Sequence, residues 1–124
     1  MGDVGSLARV RHIKDSIGVI RGGLAGKTLS EVHTDRLMWS GFERQLEVIS
    51  EASRSVPAEW KSAFGPDIDW HGMANLGNLL RHAYHRANVT TLWAIYENDL
   101  DPLEAAIDAM LAAHDTTPPR SPNS

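Results

Sequence analysis

Apolar residues in this chain recur at spacings of three and four, and no segment sustains the period-two alternation of a half-buried strand. Such a chain can bury a core only by packing helices against one another. Leu7, Val10, Ile13, Ile17 and Ile20 predict a first helix from Ser6 to about Arg21, with Gly22 and Gly23 ending it. Thr28-Leu-Ser-Glu31 has the pattern of a capping box and opens a second helix running to about Arg54. That length is long for a globular helix and predicts a break near His33–Asp35. Its inward face is Met38, Phe42, Leu46, Ile49 and Ala52/Ser53. Glu43, Glu47 and Glu51 stack at intervals of four on its surface, with Arg44 and Arg54 placed to offset Glu47 and Glu51.

Pro57 and Pro66 bracket a short helical connector, Ala58 to Phe64. Asp69 caps the next helix, which the spacing carries to Asn88; Asn88 then caps a helix from Val89 to about Glu97. Leu92, Trp93 and Tyr96 point inward from it. Asp101-Pro-Leu-Glu104 reads as the start of a last helix, with Leu103, Ile107, Met110 and Leu111 inward. Trp39, Trp60, Trp70 and Trp93 serve core and connector packing, while His12, His33 and His114 stand apart. Residues 1–114 therefore form one all-α domain, an up-and-down antiparallel bundle of about five helices. Residues 115–124, rich in Pro, Ser and Thr, make a disordered tail.

The stretch from Trp70 to Tyr96 is distinctive. Wound as one helix, it puts Met73, Leu76, Leu79, Leu80, Ala83 and Ala87 on a core-facing stripe. His71, Asn75, Asn78, Arg81, His82 and His85 form a strip on the other side. Polar strips are ordinarily solvated faces, but those are built from Glu, Lys and Asp. Between Trp70 and Tyr96 there is no Asp, Glu or Lys. Imidazole, amide and guanidinium groups together suit holding a phosphate and moving a proton.

Composition narrows the alternatives. Without cysteine, thiolate metal sites, disulfides and Cys nucleophiles are excluded. No apolar run approaches the roughly 20 residues of a membrane span, and the N-terminus lacks the character of a signal peptide, so a cytoplasmic protein is expected. A formal charge of −4 argues against a broad basic surface, leaving only local contact with nucleic acid. His82 and His85 have a spacing that can hold a metal. The central helix offers no carboxylate after Asp69 to complete such a site, and no metal or cofactor is expected.

Several segments in order carry a resemblance: Gly41-Phe-Glu-Arg-Gln-Leu-Glu-Val-Ile-Ser-Glu-Ala52, Ile68-Asp-Trp70, Gly77-Asn-Leu-Leu-Arg-His-Ala-Tyr84, Leu92-Trp-Ala-Ile95 and Asp99-Leu-Asp-Pro-Leu103. Together the chain resembles the HepT-like toxin family of the HEPN superfamily, from about Leu7 to Leu111. The resemblance implies a homodimer of helical protomers that cuts RNA without a metal. It also implies a partner antitoxin, a minimal nucleotidyltransferase that transfers AMP to a tyrosine of the toxin. The family motif is an arginine, a spacer of about four to six residues, then His-x-Tyr. His-x-Tyr falls on His82 and Tyr84, and the asparagine that often follows the arginine falls on Asn78. The arginine's usual place holds Gly77. Two readings follow. Either Arg81 supplies the guanidinium from a shifted position, or the protein is a non-catalytic helical module that presents nucleotide or substrate to its transferase.

Under the first reading His82 is a general base or acid, Arg81 binds the scissile phosphate and Asn78 orients His82. His85 and Arg86 extend the RNA-binding surface, and Tyr84 is the AMP acceptor that the resemblance implies. On helical projection alone Tyr84 is a half-buried packing residue, Glu51 pairs with Arg54, and Arg86 sits at a helix C-terminus.

Overall fold

The computed structural model describes residues 2–115, with side chains from Val4 onward. The expected disordered tail therefore lies outside the described residues, apart from Asp115. Among the described residues all regular structure is helical.

Helix α1 (Gly2–Leu24) buries Val10, Ile13, Ile17 and Ile20 as its spacing predicts. It does not stop at Gly22 and Gly23, which continue the helix to Leu24. A glycine inside a helix costs about 0.5–1 kcal/mol relative to alanine. Burying a leucine side chain returns roughly 1.5–3 kcal/mol, and Leu24 is buried. The chain turns instead at Gly26, whose φ of +74° falls in the left-handed region open to glycine. Helix α2 (Leu29–Thr34) opens with both arms of the capping box: Glu31 N donates to Thr28 Oγ1 at 3.1 Å, and Thr28 N donates to Glu31 Oε1 at 2.9 Å. The second of these bonds holds the Glu31 carboxyl below its ordinary pKa. The expected break falls at Asp35, which caps helix α3 (Arg36–Arg54) by accepting from Met38 N at 3.1 Å. Trp39, Phe42, Leu46 and Ile49 of α3 are buried, with Met38 at the edge of the core.

Helix α4 (Ala58–Phe64) is the connector between the prolines. The next stretch departs from expectation. A continuous helix from Trp70 to Asn88 is replaced by three pieces, α5 (Trp70–Ala74), α6 (Gly77–Arg81) and α7 (Arg86–Ala94). Asp69 does cap the first, accepting from Gly72 N at 2.9 Å. Both breaks have identifiable causes in diverted carbonyls. Ser50 Oγ and Arg54 Nε of α3 donate to the Ala74 carbonyl at 3.1 and 3.0 Å, satisfying it from outside the helix. The His82 carbonyl accepts from His85 N at 3.0 Å and from Asn88 Nδ2 at 3.1 Å, which closes a tight turn. Asn88 therefore neither ends one helix nor caps the next; it lies in the first turn of α7 and staples the preceding turn. Ala87, expected on the core face, is exposed.

Asp101 does not start a new helix either. A π-turn at Ile95–Asp99 joins α7 directly to α8 (Leu100–His114). Pro102 has no N–H for the carbonyl four residues back and would crowd it, and the turn ahead of it is the widened one. Leu103, Ile107 and Met110 of α8 are buried, with Leu111 packed at the edge. The core lies where α1 packs on α3 and α8, with α4 against α8 and α5 against α3. Along the α1–α8 seam Arg11 pairs with Asp115 at 2.7 Å, Lys14 with Asp108 at 2.8 Å and Arg21 with Glu104 at 3.3 Å. Exposed pairs of this kind contribute only about 0.2–1 kcal/mol each, so the seam orients the helices more than it stabilises them. Among the described residues no helix is long and apolar enough to cross a membrane.

Candidate active site

The expected strip survives the loss of its helix, because all six of its side chains remain exposed. The breaks sort them into two groups. His71 and Asn75 of the α5 segment pair side chain to side chain at 3.2 Å. Arg81, His82 and His85 gather with Tyr84 and Arg86 at the α6–α7 corner. His82 ends α6 and His85 precedes α7. Their rings lie 5.7 Å apart, and the Tyr84 ring lies 6.3 Å from His82 and 4.4 Å from His85 at an angle of 31°. Tyr84 is 72% exposed, so it is not a packing residue, and its ring is open to solvent. Arg86 stands at the start of α7 rather than at a helix C-terminus. A cation there is mildly disfavoured by the helix dipole. Asn78 is exposed and makes no hydrogen bond to His82 among the described residues.

Two grooves flank this corner. One, of about 510 Å³, runs along α3 past Glu47, Glu51 and Arg54 to Gly77 and Arg81. The other, of about 350 Å³, lies between His33, Arg36, Trp39 and Tyr84. Ser40, Glu43, Leu80 and Arg81 line both and form the wall between them. His82 lines neither groove; it sits beside Arg81 at the head of the turn.

Arg81 bears on the departure at Gly77. A Cβ placed on Gly77 would lie 3.7 Å from Arg81 Nη1, an ordinary contact, so the Arg81 side chain folds back one turn over the glycine. Arg81 has no carboxylate partner among the described residues, and neither does Arg36 on the rim of the second groove. By contrast Glu47 is paired with Arg44, and Glu51 with Arg54 at 3.4 Å, as the sequence spacing predicts.

Glu43 is the site residue that the sequence reading passed over. It is partly buried and makes no ion pair or hydrogen bond among the described residues. Burial pushes its carboxyl above the ordinary value, opposed by the positive charge that His33 can carry. A raised folded-state pKa means that the protonated acid is the better tolerated form. Glu43 therefore detracts from stability above its folded-state pKa, and the penalty disappears as pH falls below the unfolded value. Glu43→Gln is expected to melt above wild type at neutral pH, with the gap closing towards the ordinary carboxylate range in melts at matched pH. A variant melting lower than wild type at neutral pH would contradict this account. His33 also does not stand apart: its ring meets Trp39 edge-on at 5.0 Å. His114 stacks on Trp60 at 4.0 Å, away from the corner. Among the described residues no three His, Asp or Glu side chains are placed to hold a metal ion.

Residues 13–110 match the family model described as "Ribonuclease HepT-like". The chain belongs to the HepT-like family. It is 34% identical over 67 residues to "Probable ribonuclease HepT" of Thermococcus cleftensis, covering 54% of this chain and 60% of that one. It is also 32% identical over 65 residues to "Putative RNase MJ1380" of Methanocaldococcus jannaschii, covering 52% of this chain and 59% of that one. A third relative, "Gamma-glutamylcyclotransferase and putative RNase MJ0434" of the same organism, is 24% identical over 98 residues, covering 79% of this chain and 44% of that one. The chain thus spans about three fifths or less of the length of these relatives. No solved structure matches it at a significant level.

Proposed function

We propose that this HepT-like protein is the endoribonuclease toxin of a toxin–antitoxin pair, cutting RNA through the ribose 2′-hydroxyl without a metal. The observation that carries the reading is the α6–α7 corner, where Arg81, uncommitted to any carboxylate among the described residues, reaches back over Gly77 beside an exposed His82. Arg81 binds the scissile phosphate with its fork of donors. His82 takes the proton of the 2′-hydroxyl, the 2′-oxygen bonds to phosphorus, and the bond from phosphorus to the 5′-oxygen breaks. A second imidazole returns a proton to that oxygen, leaving a 2′,3′-cyclic phosphate and a 5′-hydroxyl. His85 is the nearest such group within the chain, and in a two-fold homodimer the corner meets its own copy, which brings a second His82. Arg86 extends the phosphate-binding surface, which gives its place at the start of α7 a use. Asn78 supports the site from the exposed face of α6.

The rival reading, a non-catalytic module that serves a nucleotidyltransferase, draws on Gly77 standing where the family arginine belongs. Expression without the partner separates the two. Growth arrest relieved by His82→Ala supports the nuclease, whereas a harmless protein that still binds the transferase supports the module.

Neutralisation by AMP transfer is part of the same proposal, with Tyr84 as acceptor because its phenol is open to solvent. Incubation with the partner transferase and ATP is expected to add AMP in intact-mass measurement, and Tyr84→Phe to abolish the shift. An unmodified wild type, or a Tyr84→Phe variant that is still labelled, would remove Tyr84 from that role.

A further inference from the structure

The second groove holds an unusual set of uncommitted groups. Among the described residues Arg36 and Arg81 have no carboxylate partner at ion-pair distance, and Glu43, partly buried, has no ion-pair partner and feels only the longer-range charge of His33. Tyr84 and His33 are exposed rings on the same groove, and Ser40 adds a hydroxyl. A carboxylate left unpaired on the wall between two grooves does nothing for packing, and burial lifts its pKa at the expense of stability. Its sequence neighbours in the same acidic series, Glu47 and Glu51, are both neutralised by arginines. An unpaired carboxylate on the same groove as two unpaired guanidinium groups, in place of ion pairs among the three, points to a ligand.

An ionised carboxylate only accepts hydrogen bonds, and its two oxygens suit two adjacent N–H donors. Among the RNA bases guanine offers that pair, N1–H and the N2 amino group, side by side on its Watson–Crick edge. Adenine and cytosine present one donor beside an acceptor, and uracil one donor between two. Unstacked RNA bases are read in this way, by their edges together with stacking on aromatic rings, while arginines hold the phosphate. We infer that the groove between α3 and the α6–α7 corner is a guanine nucleotide subsite, in which Glu43 accepts from N1–H and N2–H, Tyr84 stacks on the base and Arg36 and Arg81 hold the flanking phosphate. The inference rests on the ribonuclease reading for its biological ligand, but it concerns binding and can be tested without cleavage.

Titration of the protein with 3′-GMP and with 3′-AMP, followed by calorimetry or NMR, decides it. 3′-GMP is expected to bind about tenfold tighter or more, the discrimination that one good two-point base contact provides. Glu43→Gln, which keeps the shape and is expected to be no less stable, should bring the two nucleotides to within about twofold of one another. Arg36→Ala should weaken both alike. Equal affinities in the wild type, a preference unchanged in Glu43→Gln, or no binding of either nucleotide would each overturn the subsite. RNA left uncut by a protein that still prefers 3′-GMP through Glu43 would overturn the nuclease reading alone. A Glu43 acting instead as a proton carrier would slow cleavage of every sequence equally in Glu43→Gln and leave nucleotide affinities unaltered.

Discussion

RNA cleavage in excess chelator is expected to fall about 10²- to 10⁴-fold in His82→Ala, the range that a positioned proton-transfer group contributes. The variant should fold normally. The His82 side chain is exposed, and the turn it occupies is held by its carbonyl, which alanine retains. Circular dichroism and melting temperature therefore serve as controls that should not move by much. Undiminished cleavage in His82→Ala would take His82 out of the chemistry and leave His85 as the nearer candidate, since it shares the corner.

Arg81→Ala is expected to lower cleavage about 10²- to 10³-fold, as removing one donor to a developing oxyanion does elsewhere. The more discriminating result is its repair. A side chain at Gly77 would start 3.7 Å from where the Arg81 guanidinium now lies, and Gly77 lines the same groove. Adding Gly77→Arg to Arg81→Ala should thus return a guanidinium to the site and bring activity to within about tenfold of wild type. Gly77 has no positive φ, so the new side chain meets no backbone strain. A double variant as inactive as Arg81→Ala would mean that the origin of the guanidinium matters, and that Arg81 is more than a replacement for the family arginine. Full activity in Arg81→Ala would remove it from phosphate binding altogether.

How much of this was legible in the sequence depended on the range of the interaction involved. The capping box at Thr28 and Glu31, the stop at Asp35 and the cap at Asp69 are local, and the side chains that make them lie within three residues of their partners. The pairing of Glu47 and Glu51 is local too. The breaks at Asn75 and at His82–His85 were hidden, because periodicity reports which residues face inward and not whether the backbone between them is continuous. The first break depends on Ser50 and Arg54 reaching across from α3, at sequence separations of 24 and 20. The second had a faint signal in Asn88, a residue given to bonding backbone carbonyls. Glycines misled at Gly22 and Gly23 for the opposite reason: a buried Leu24 outweighed their preference. Glu43 was the costliest omission, and it was readable. Its helical neighbours at three and four residues are Trp39, Ser40, Leu46 and Glu47, none of them cationic, so it alone in the acidic series lacks a partner on its own helix. What no sequence pattern supplied was the wall it shares with Arg81.

The π-turn at Ile95–Asp99 takes up one residue more than an ordinary helical path between α7 and α8 would. Each residue of an α-helix turns the chain by about 100°. Closing the π-turn to an ordinary helical turn with every residue kept would rotate everything downstream by about that angle. Leu103, Ile107 and Met110 would swing away from α1, and the carboxylates that face Lys14 and Arg21 would turn with them. The widened turn absorbs its extra residue and so keeps the two halves of one long rod in phase.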